Sequence, residues 1–247
     1  MTFSPEQKRT IIVTGSSRGL GREIAIKFGK TGNRIAVTYL TREGEAAAVA
    51  EDIVRAGGES LLFHLDVRKT RDVDAMMDEI ARQWGTVDVL VNNAGMTRDG
   101  LLLRMTEQDW DNVIETNLAG PFHCIRAVSS IMSKQRQGHI INISSIVGVQ
   151  GREGQANYAS SKAGLIGLTR TCAQELGRFN VKVNAVLPGY ISTEMGDAIS
   201  DAMRDRILNE NALARVSDPR EVAEFIYHLS SMDNVSGQVF NLDSRVL

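Results

Sequence analysis

The sequence predicts an α/β protein: a single-domain, doubly wound parallel sheet of about seven strands with helices on both faces. Three observations carry that expectation. Short β-branched runs alternate with longer segments of helical period along the 247 residues. The runs are continuously hydrophobic rather than alternating, which means burial on both faces, as in a parallel sheet. A glycine-rich turn joins the first run to the first helical segment. Repeated β-α-β units with right-handed crossovers build a sheet of this kind.

The elements follow in order. TIIVTG (10–15) reads as the first strand and GLGREIAIKFGKTG as the helix behind it. RIAVTYL is the second strand, followed by the helix EGEAAAVAEDIVRAGG, which ends in Gly57-Gly58. SLLFHLDV is the third strand, with the helix RDVDAMMDEIARQWG after it. VDVLVNNAG is the fourth, HIINISSIVG the fifth, VKVNAVLPG the sixth and SGQVFNLD a short last one. Two long helical segments flank the fifth strand: DWDNVIETNLAGPFHCIRAVSSIMSK and YASSKAGLIGLTRTCAQELG. The least regular stretch, about 190–218, precedes the helix DPREVAEFIYHLSSM. Insertions after a strand's carboxyl end usually form the substrate side of such a fold. No linker, repeat or low-complexity tract interrupts the order, so residues 1–247 read as one domain.

Composition excludes several classes. Hydrophobic residues make up 43% and charged residues 23%, and the net charge is -2, which gives no global field for nucleic acid or an anionic membrane. Two cysteines, Cys124 and Cys172, lack C-x-x-C spacing and fit a reducing compartment. Four scattered histidines (His64, His123, His139 and His228) match no zinc pattern, so no metal is expected. The polar start MTFSPEQKR runs into a strand with no signal peptide or membrane span, so a soluble cytoplasmic protein is expected.

VTGSSRGLGREI places Gly15, Gly19 and Gly21 between the first strand and its helix. Glycines let the backbone turn tightly and approach a pyrophosphate seated on a helix N-terminus. The spacing is G-x-x-x-G-x-G, not the G-x-G-x-x-G of the usual dinucleotide fingerprint. Position still favours dinucleotide binding, although packing alone also shapes glycine-rich turns.

Four motifs stand in order: T-G-x-x-x-G-x-G at the first turn, N-N-A-G at 92–95, a serine 13 residues before Y-x-x-x-K, and P-G at 188–189. In that order and spacing, from about residue 9 to 240, the chain resembles the short-chain dehydrogenase/reductase family, whose fold is Rossmann-like. Within it, ETNLAGPFHCIRA, GQANYASSKAGLIGLTR and VNAVLPGYISTEM are most similar to the 3-oxoacyl-[acyl-carrier-protein] reductases of fatty acid synthesis.

An NAD enzyme of this architecture carries an acid at the end of the second strand, bonded to the ribose 2′-hydroxyl. Here Tyr39 stands there, followed by Thr41 and Arg42, and Arg18 lies inside the glycine loop beside Ser17 and Leu20. A guanidinium clamps a 2′-phosphate by charge-assisted bonds, so NADP(H) is expected. Arg42 also reads as a solvated loop charge. The resemblance further assigns Asp66 and Val67 to the adenine, Asn92 to Gly95 (with Ala94) to the ribose, and Pro188, Gly189, Ile191 and Thr193 to the nicotinamide. Asp66 also has an alternative reading as a cap for the following helix, and Asn92 and Asn93 as turn formers.

Tyr158 and Lys162 lie one helical turn apart on one face. Reducing a ketone needs a hydride on carbon and a proton on oxygen. A tyrosine is a poor acid–base group near neutral pH, since its pKa is about 10. An ammonium at ~4 Å, at an effective dielectric of ~20, contributes on the order of 4 kcal/mol, or roughly three pKa units. Ser145, past a hydrophobic strand, can donate to the substrate oxygen as charge develops. The resemblance selects Ser145 over Ser144 and leaves Ser160 and Ser161 structural. It also gives Lys162 the nicotinamide ribose and Asn117 a water in the proton relay.

The resemblance implies an acyl carrier protein as substrate carrier and a homotetramer built on the two long helices. Lys134, Arg136 and Arg178 offer a basic patch for an acidic carrier, though such residues populate most helix ends. A CoA-linked, polyketide or free ketone is the alternative substrate. A scaffold that had lost catalysis would usually lack the tyrosine or the lysine. One departure stands out: where reductases of this group often end in D-G-G, this chain reads Asp243-Ser244-Arg245.

Overall fold

The computed structural model describes residues 8–191 and 208–245. Its strands are β1 (Thr10–Val13), β2 (Arg34–Tyr39), β3 (Glu59–His64), β4 (Val89–Asn92), β5 (Gly138–Ile143), β6 (Val181–Leu187) and β7 (Val239–Asn241). They hydrogen-bond in the order β3-β2-β1-β4-β5-β6-β7, every pair parallel. The order reverses between β1 and β4, and a crevice opens at the carboxyl ends of strands at such a point.

The helices are α1 (Gly19–Gly29), α2 (Glu43–Arg55), α3 (Thr70–Trp84), α4 (Glu107–Ile114), α5 (Gly120–Gln135), α6 (Val147–Gln150), α7 (Ala156–Leu176) and α8 (Pro219–Leu229). The period of two along each strand sorts them into layers. Ile11 and Val13 pack with Ile24 and Phe28 of α1, Ile53 of α2 and Ile226 of α8. Ile12, between them, packs with Met76 and Ile80 of α3, Val128 and Met132 of α5, and Cys172 of α7. Full burial of each such side chain contributes about 1.5–3 kcal/mol, so the sheet is sealed on both faces.

Three sequence expectations are corrected. The fifth strand ends at Ile143, and residues read as its continuation turn into α6. Its neighbours run out there: the last registered pairs are Asn92 with Asn142 and Ile143 with Val186. The third strand likewise ends at His64, before Asp66. The long helix expected over 109–134 is interrupted by a π-turn at Glu115–Ala119, where the Gly120 N–H reaches the Glu115 carbonyl. Pro121 explains the break, because it offers no N–H to the carbonyl of Asn117, four residues back.

At the opposite edge, a polar cluster closes the sheet. Asp88 accepts from the Thr10 N–H at 2.7 Å, and Arg9 donates to the Ser230 carbonyl at 3.2 Å. His139 is 1% exposed, and its Nδ1 finds no partner in the structure. Burial, with Lys182 and Arg9 nearby, pushes its pKa down to about 4. The unfolded imidazole titrates near 6.5. Its contribution is therefore intact above about pH 6.5 and is lost as pH falls toward 4, on the order of 3 kcal/mol in all. Urea unfolding between pH 7 and 4.5 should show wild type losing stability more steeply than His139→Gln; parallel pH slopes would contradict the assignment.

Candidate active site

The glycine loop is pinned from both flanking strands. The Gly15 N–H donates to Thr38 Oγ1 at 2.9 Å, and the Thr38 N–H donates to Ser16 Oγ at 2.9 Å. On the other side, Asn93 Nδ2 donates to the carbonyls of Thr14 and Gly15 at 2.9 and 3.0 Å. Gly15 has φ of 64°, and a Cβ there would press on Ala94 Cα at 3.0 Å. A Cβ on Gly21 would strike the Gly15 carbonyl oxygen and stand 2.5 Å from Asn93 Nδ2. These two glycines let α1 start directly against the loop. Arg18 sits at the N-cap with no side-chain cap bond, and first-turn N–H groups lack intrahelical partners, which suits an anion.

A cleft of about 690 Å³ crosses the carboxyl edge at this point. Its wall runs from Tyr39, Thr41 and Arg42 past Asp66 and Val67, over Ser17 to Gly21, then by Ala94 and Gly95 to Tyr158, Lys162, Pro188 and Ile191. Length and lining fit an extended dinucleotide. Four expected residues lie off this wall: Asn92, Asn117, Ser145 and Gly189. Thr193 lies outside the described residues.

Asn92 departs from expectation. Its amide donates to Asn142 Oδ1 at 2.8 Å, and Asn142 donates onward to Thr169 Oγ1 of α7 at 2.9 Å. The strand's pleat sends Asn92 to that face, and the loop-facing amide is Asn93. Gly189 shapes the turn beneath the cleft: its φ is 80°, and a Cβ would stand 2.6 Å from Ser217 Oγ.

At the adenine end, Asp66 is 4% exposed and pairs with Arg68, accepting from its Nε at 2.8 Å, its Nη2 at 2.7 Å and its backbone N–H at 3.1 Å. The Arg68 bonds hold its pKa below the usual carboxylate range. It does not cap α3, whose N-cap is Lys69. His123 Nδ1 lies 3.1 Å from the Val67 carbonyl oxygen. At the end of β2, the Tyr39 ring stacks edge-on with His64. Desolvation and then Glu43 raise the Tyr39 pKa. Arg42 forms an ion pair with Glu45.

The other end gathers the proton-handling groups. Tyr158 enters on the first turn of α7 near Ser145, whose hydroxyl accepts from the Val147 N–H at 3.2 Å. Desolvation raises the Tyr158 pKa against the lowering influence of Ser145. Lys162 is 5% exposed and donates to the Ile143 carbonyl at 2.7 Å. Burial pushes its pKa down to about 8, so it is still mostly an ammonium at pH 7. Its Nζ stands 5.6 Å from the Tyr158 ring centroid. Asn117, fully buried in the π-turn, accepts from the Met96 N–H at 2.8 Å and donates to the Met96 carbonyl at 2.9 Å. Ser144 faces the cleft, but its hydroxyl is committed to the Lys162 carbonyl at 2.9 Å. Ser161 bonds Asn117 at 3.2 Å, while Ser160 is exposed.

Sequence reasoning named Asn93 as a turn former but passed over the other supports: Thr14, Thr38 and Asn157. The last donates to the carbonyls of Arg98 and Asp109 at 2.9 and 3.2 Å, and so fixes the start of α7. Polar residues in otherwise apolar strand ends were the available signal for the first two. The residues of the expected basic patch stand apart from the cleft. Arg136 donates to the Arg178 carbonyl at 3.1 Å, so those residues do meet. They meet beside the first residues of β5 and β6, whereas the cleft lies at the far ends of those strands. A six-residue strand spans roughly 20 Å, so the patch does not adjoin the cleft.

A dinucleotide cleft ending in a serine, a tyrosine and a lysine marks an oxidoreductase. The chain belongs to the short chain dehydrogenase family, whose profile matches residues 9–204. That membership brings a nicotinamide cofactor with it. The chain is 45% identical to the 3-oxoacyl-[acyl-carrier-protein] reductase FabG of Staphylococcus epidermidis, over 95% of this chain and 97% of that one. FabG of Staphylococcus aureus is 44% identical over 95% and 96%. The 3-oxoacyl-[acyl-carrier-protein] reductase of a Synechocystis species is 43% identical over 96% of each. Among the described residues no helix is long and apolar enough to cross a membrane, and no cluster of His, Cys, Asp or Glu could hold a metal.

Gly21→Ala should weaken nicotinamide dinucleotide binding at least tenfold while leaving the circular dichroism spectrum unchanged, because the methyl displaces Asn93 and the loop together. Titration with unchanged affinity would refute the close-approach requirement.

Proposed function

We propose that this protein reduces the ketone of a 3-oxoacyl thioester held on acyl carrier protein to the 3-hydroxyacyl thioester, using NADPH, in fatty acid synthesis. The observation that carries the chemistry is a cleft of dinucleotide length whose wall holds Tyr158 and Lys162 one helical turn apart, the lysine Nζ 5.6 Å from the tyrosine ring centroid, with Ser145 beside the tyrosine. The substrate rests on the relatives, which are 43% to 45% identical over nearly whole chains and are named for this reaction.

A reduced nicotinamide, held along this cleft wall, would supply the hydride that the ketone carbon needs. Tyr158 is neutral at pH 7, because its pKa is raised, and so it holds a proton to give the ketone oxygen. Ser145 can donate to that oxygen as negative charge gathers there, and to the phenolate once the proton has left. Lys162 uses one of its donors on the Ile143 carbonyl and can turn the others to ribose hydroxyls in the cleft. Asn117 holds Met96 beside Gly95, and by the resemblance it holds a relay water. Tyr158→Phe should lower kcat by roughly 10²–10⁴-fold with cofactor affinity within about twofold of wild type. Retention of most of the activity would sink the tyrosine's role.

NADPH preference is supported by the lack of an acid on β2's last residue and by Arg18 and Arg42 on the cleft wall. Arg18 is the stronger clamp for a 2′-phosphate, because it stands at the N-cap of α1 inside the glycine loop. Arg18→Glu should weaken NADPH binding far more than NADH binding by direct titration; equal losses would count against this reading. A substrate panel of carrier-linked, CoA-linked and free ketones tests the acyl assignment. The tetramer rests on the resemblance, because apart from the exposed Phe122 the large apolar side chains of α5 and α7 belong mainly to the core.

A further inference from the structure

The last described residues close back onto the segment that follows β6. Ser244 Oγ donates to Asn211 Oδ1 and accepts from the Leu213 N–H at 3.2 Å, while its carbonyl accepts from the Ala212 N–H at 3.3 Å. Arg245 donates through its N–H and Nε to Asp243, both at 2.9 Å, and its Nη1 lies 4.0 Å from Glu210 Oε2. Asn241 ties the turn from behind, accepting from the Asp243 N–H and donating to the Arg245 carbonyl, both at 3.1 Å. Asp243 is 8% exposed and packs under Gly189: a Cβ added there would lie 3.2 Å from the aspartate's Cβ. The Tyr190 carbonyl accepts from the Ser217 N–H at 2.8 Å, which closes the other side.

Two features show that this arrangement is held rather than incidental. Ala214 has φ of 46°, a left-handed conformation that a residue with a Cβ adopts at a cost. Such a conformation persists where surrounding bonds over-determine it. The Ala214 N–H donates to the Asn211 carbonyl at 2.9 Å, so the bonds from Ser244 hold the turn that carries it. Glycines at 244 and 245 could make none of the side-chain bonds. The clasp therefore fixes Glu210–Ala214 relative to Gly189 and Tyr190, beside Pro188 and Ile191 of the cleft wall.

We infer that Ser244 and Arg245 are positioning residues that set affinity for the acyl substrate by clamping the Glu210–Ala214 turn against the nicotinamide end of the cleft. The inference rests on the 3-oxoacyl thioester reading for its substrate and on the bonds above for its mechanism. Ser244 and Arg245 are far from the hydride-transfer groups in role: the clasp touches neither Tyr158 nor Lys162. Its loss should raise KM for the acyl substrate and leave the chemical step alone.

The test uses the full chain as wild type, Ser244→Ala, Arg245→Ala, the double variant, and the conservative Ser244→Thr and Arg245→Lys. Hydrogen exchange on Ala212 and Leu213 is measured alongside kcat and KM for a 3-oxoacyl thioester and the dissociation constant for NADPH. The double variant should lose protection at those two amides and raise KM about tenfold. kcat and NADPH affinity should stay within about twofold, and the conservative variants should recover most of the effect. Unchanged protection overturns the clasp. Lost protection with unchanged KM overturns its role in substrate affinity. If wild type turns over no 3-oxoacyl thioester, the functional reading fails together with the acyl half of this inference, and the exchange measurement still decides the clasp.

Discussion

Lys162 donates its ammonium to the Ile143 carbonyl at 2.7 Å, at the residue where β5 ends. That bond joins α7 to the carboxyl edge of the sheet, and the rest of the site hangs from the joint. Ser144 fastens the same turn through the Lys162 carbonyl, and α6 lies so close that Gly148 has no room for a Cβ against Lys162. With α7 placed, Tyr158 falls one turn earlier, against Ser145. The joint is expensive. Folding lowers the lysine's pKa from an ordinary value near 10.4 to about 8, which corresponds to roughly 3 kcal/mol. The penalty is full below about pH 8 and disappears above the unfolded pKa. It is relieved by acceptors brought into the cleft, so cofactor affinity and the protonated state of Lys162 are linked.

Much of this was legible in the sequence. The strands and their burial on both faces follow from continuous β-branched runs such as RIAVTYL. The chemistry-bearing side chains were legible because each is tied to a fixed local geometry, such as a glycine at a strand-to-helix turn or a Y-x-x-x-K turn of helix. The boundaries were not. SSIVG has the hydrophobicity of a strand but leaves the sheet where β4 has already ended and β6 has one residue left. The π-turn at Glu115–Ala119 follows from Pro121, and a helical-period reading passes over a single missing N–H. Asn92 and Asn93 could not be told apart without register: one faces the α7 layer and the other the loop. Arg136 and Arg178, far apart in sequence, meet in space, but on the edge away from the chemistry.

The two asparagines also show how a buried polar network positions a site it does not touch. Asn92, Asn142 and Thr169 form a chain from β4 through β5 to α7. Asn117 and Ser161 form a second chain from the Met96 backbone to α7. Both run across the same helix that carries Tyr158 and Lys162. Buried amides are costly when unsatisfied, so each network admits few alternative arrangements. The dinucleotide side, through Met96 and Gly95, is thereby set in register with the proton-handling side.

The tyrosine's acidity is where charge arithmetic and structure diverge. An ammonium at ~4 Å would depress a phenol by roughly three units. Here the Lys162 charge is turned toward the Ile143 carbonyl, 5.6 Å from the ring centroid, and desolvation leaves the Tyr158 pKa raised. For reduction this has a definite sense. A proton donor must be protonated before the reaction, and a raised pKa keeps it so throughout the neutral range. Donation becomes favourable only as the ketone oxygen gains charge, and that charge appears only when hydride moves. Ser145, beside the tyrosine, is placed to donate to that charge as it develops. Proton release is thus coupled to hydride arrival by the environment of one hydroxyl, and Lys162 contributes chiefly by where it holds α7 and the ribose.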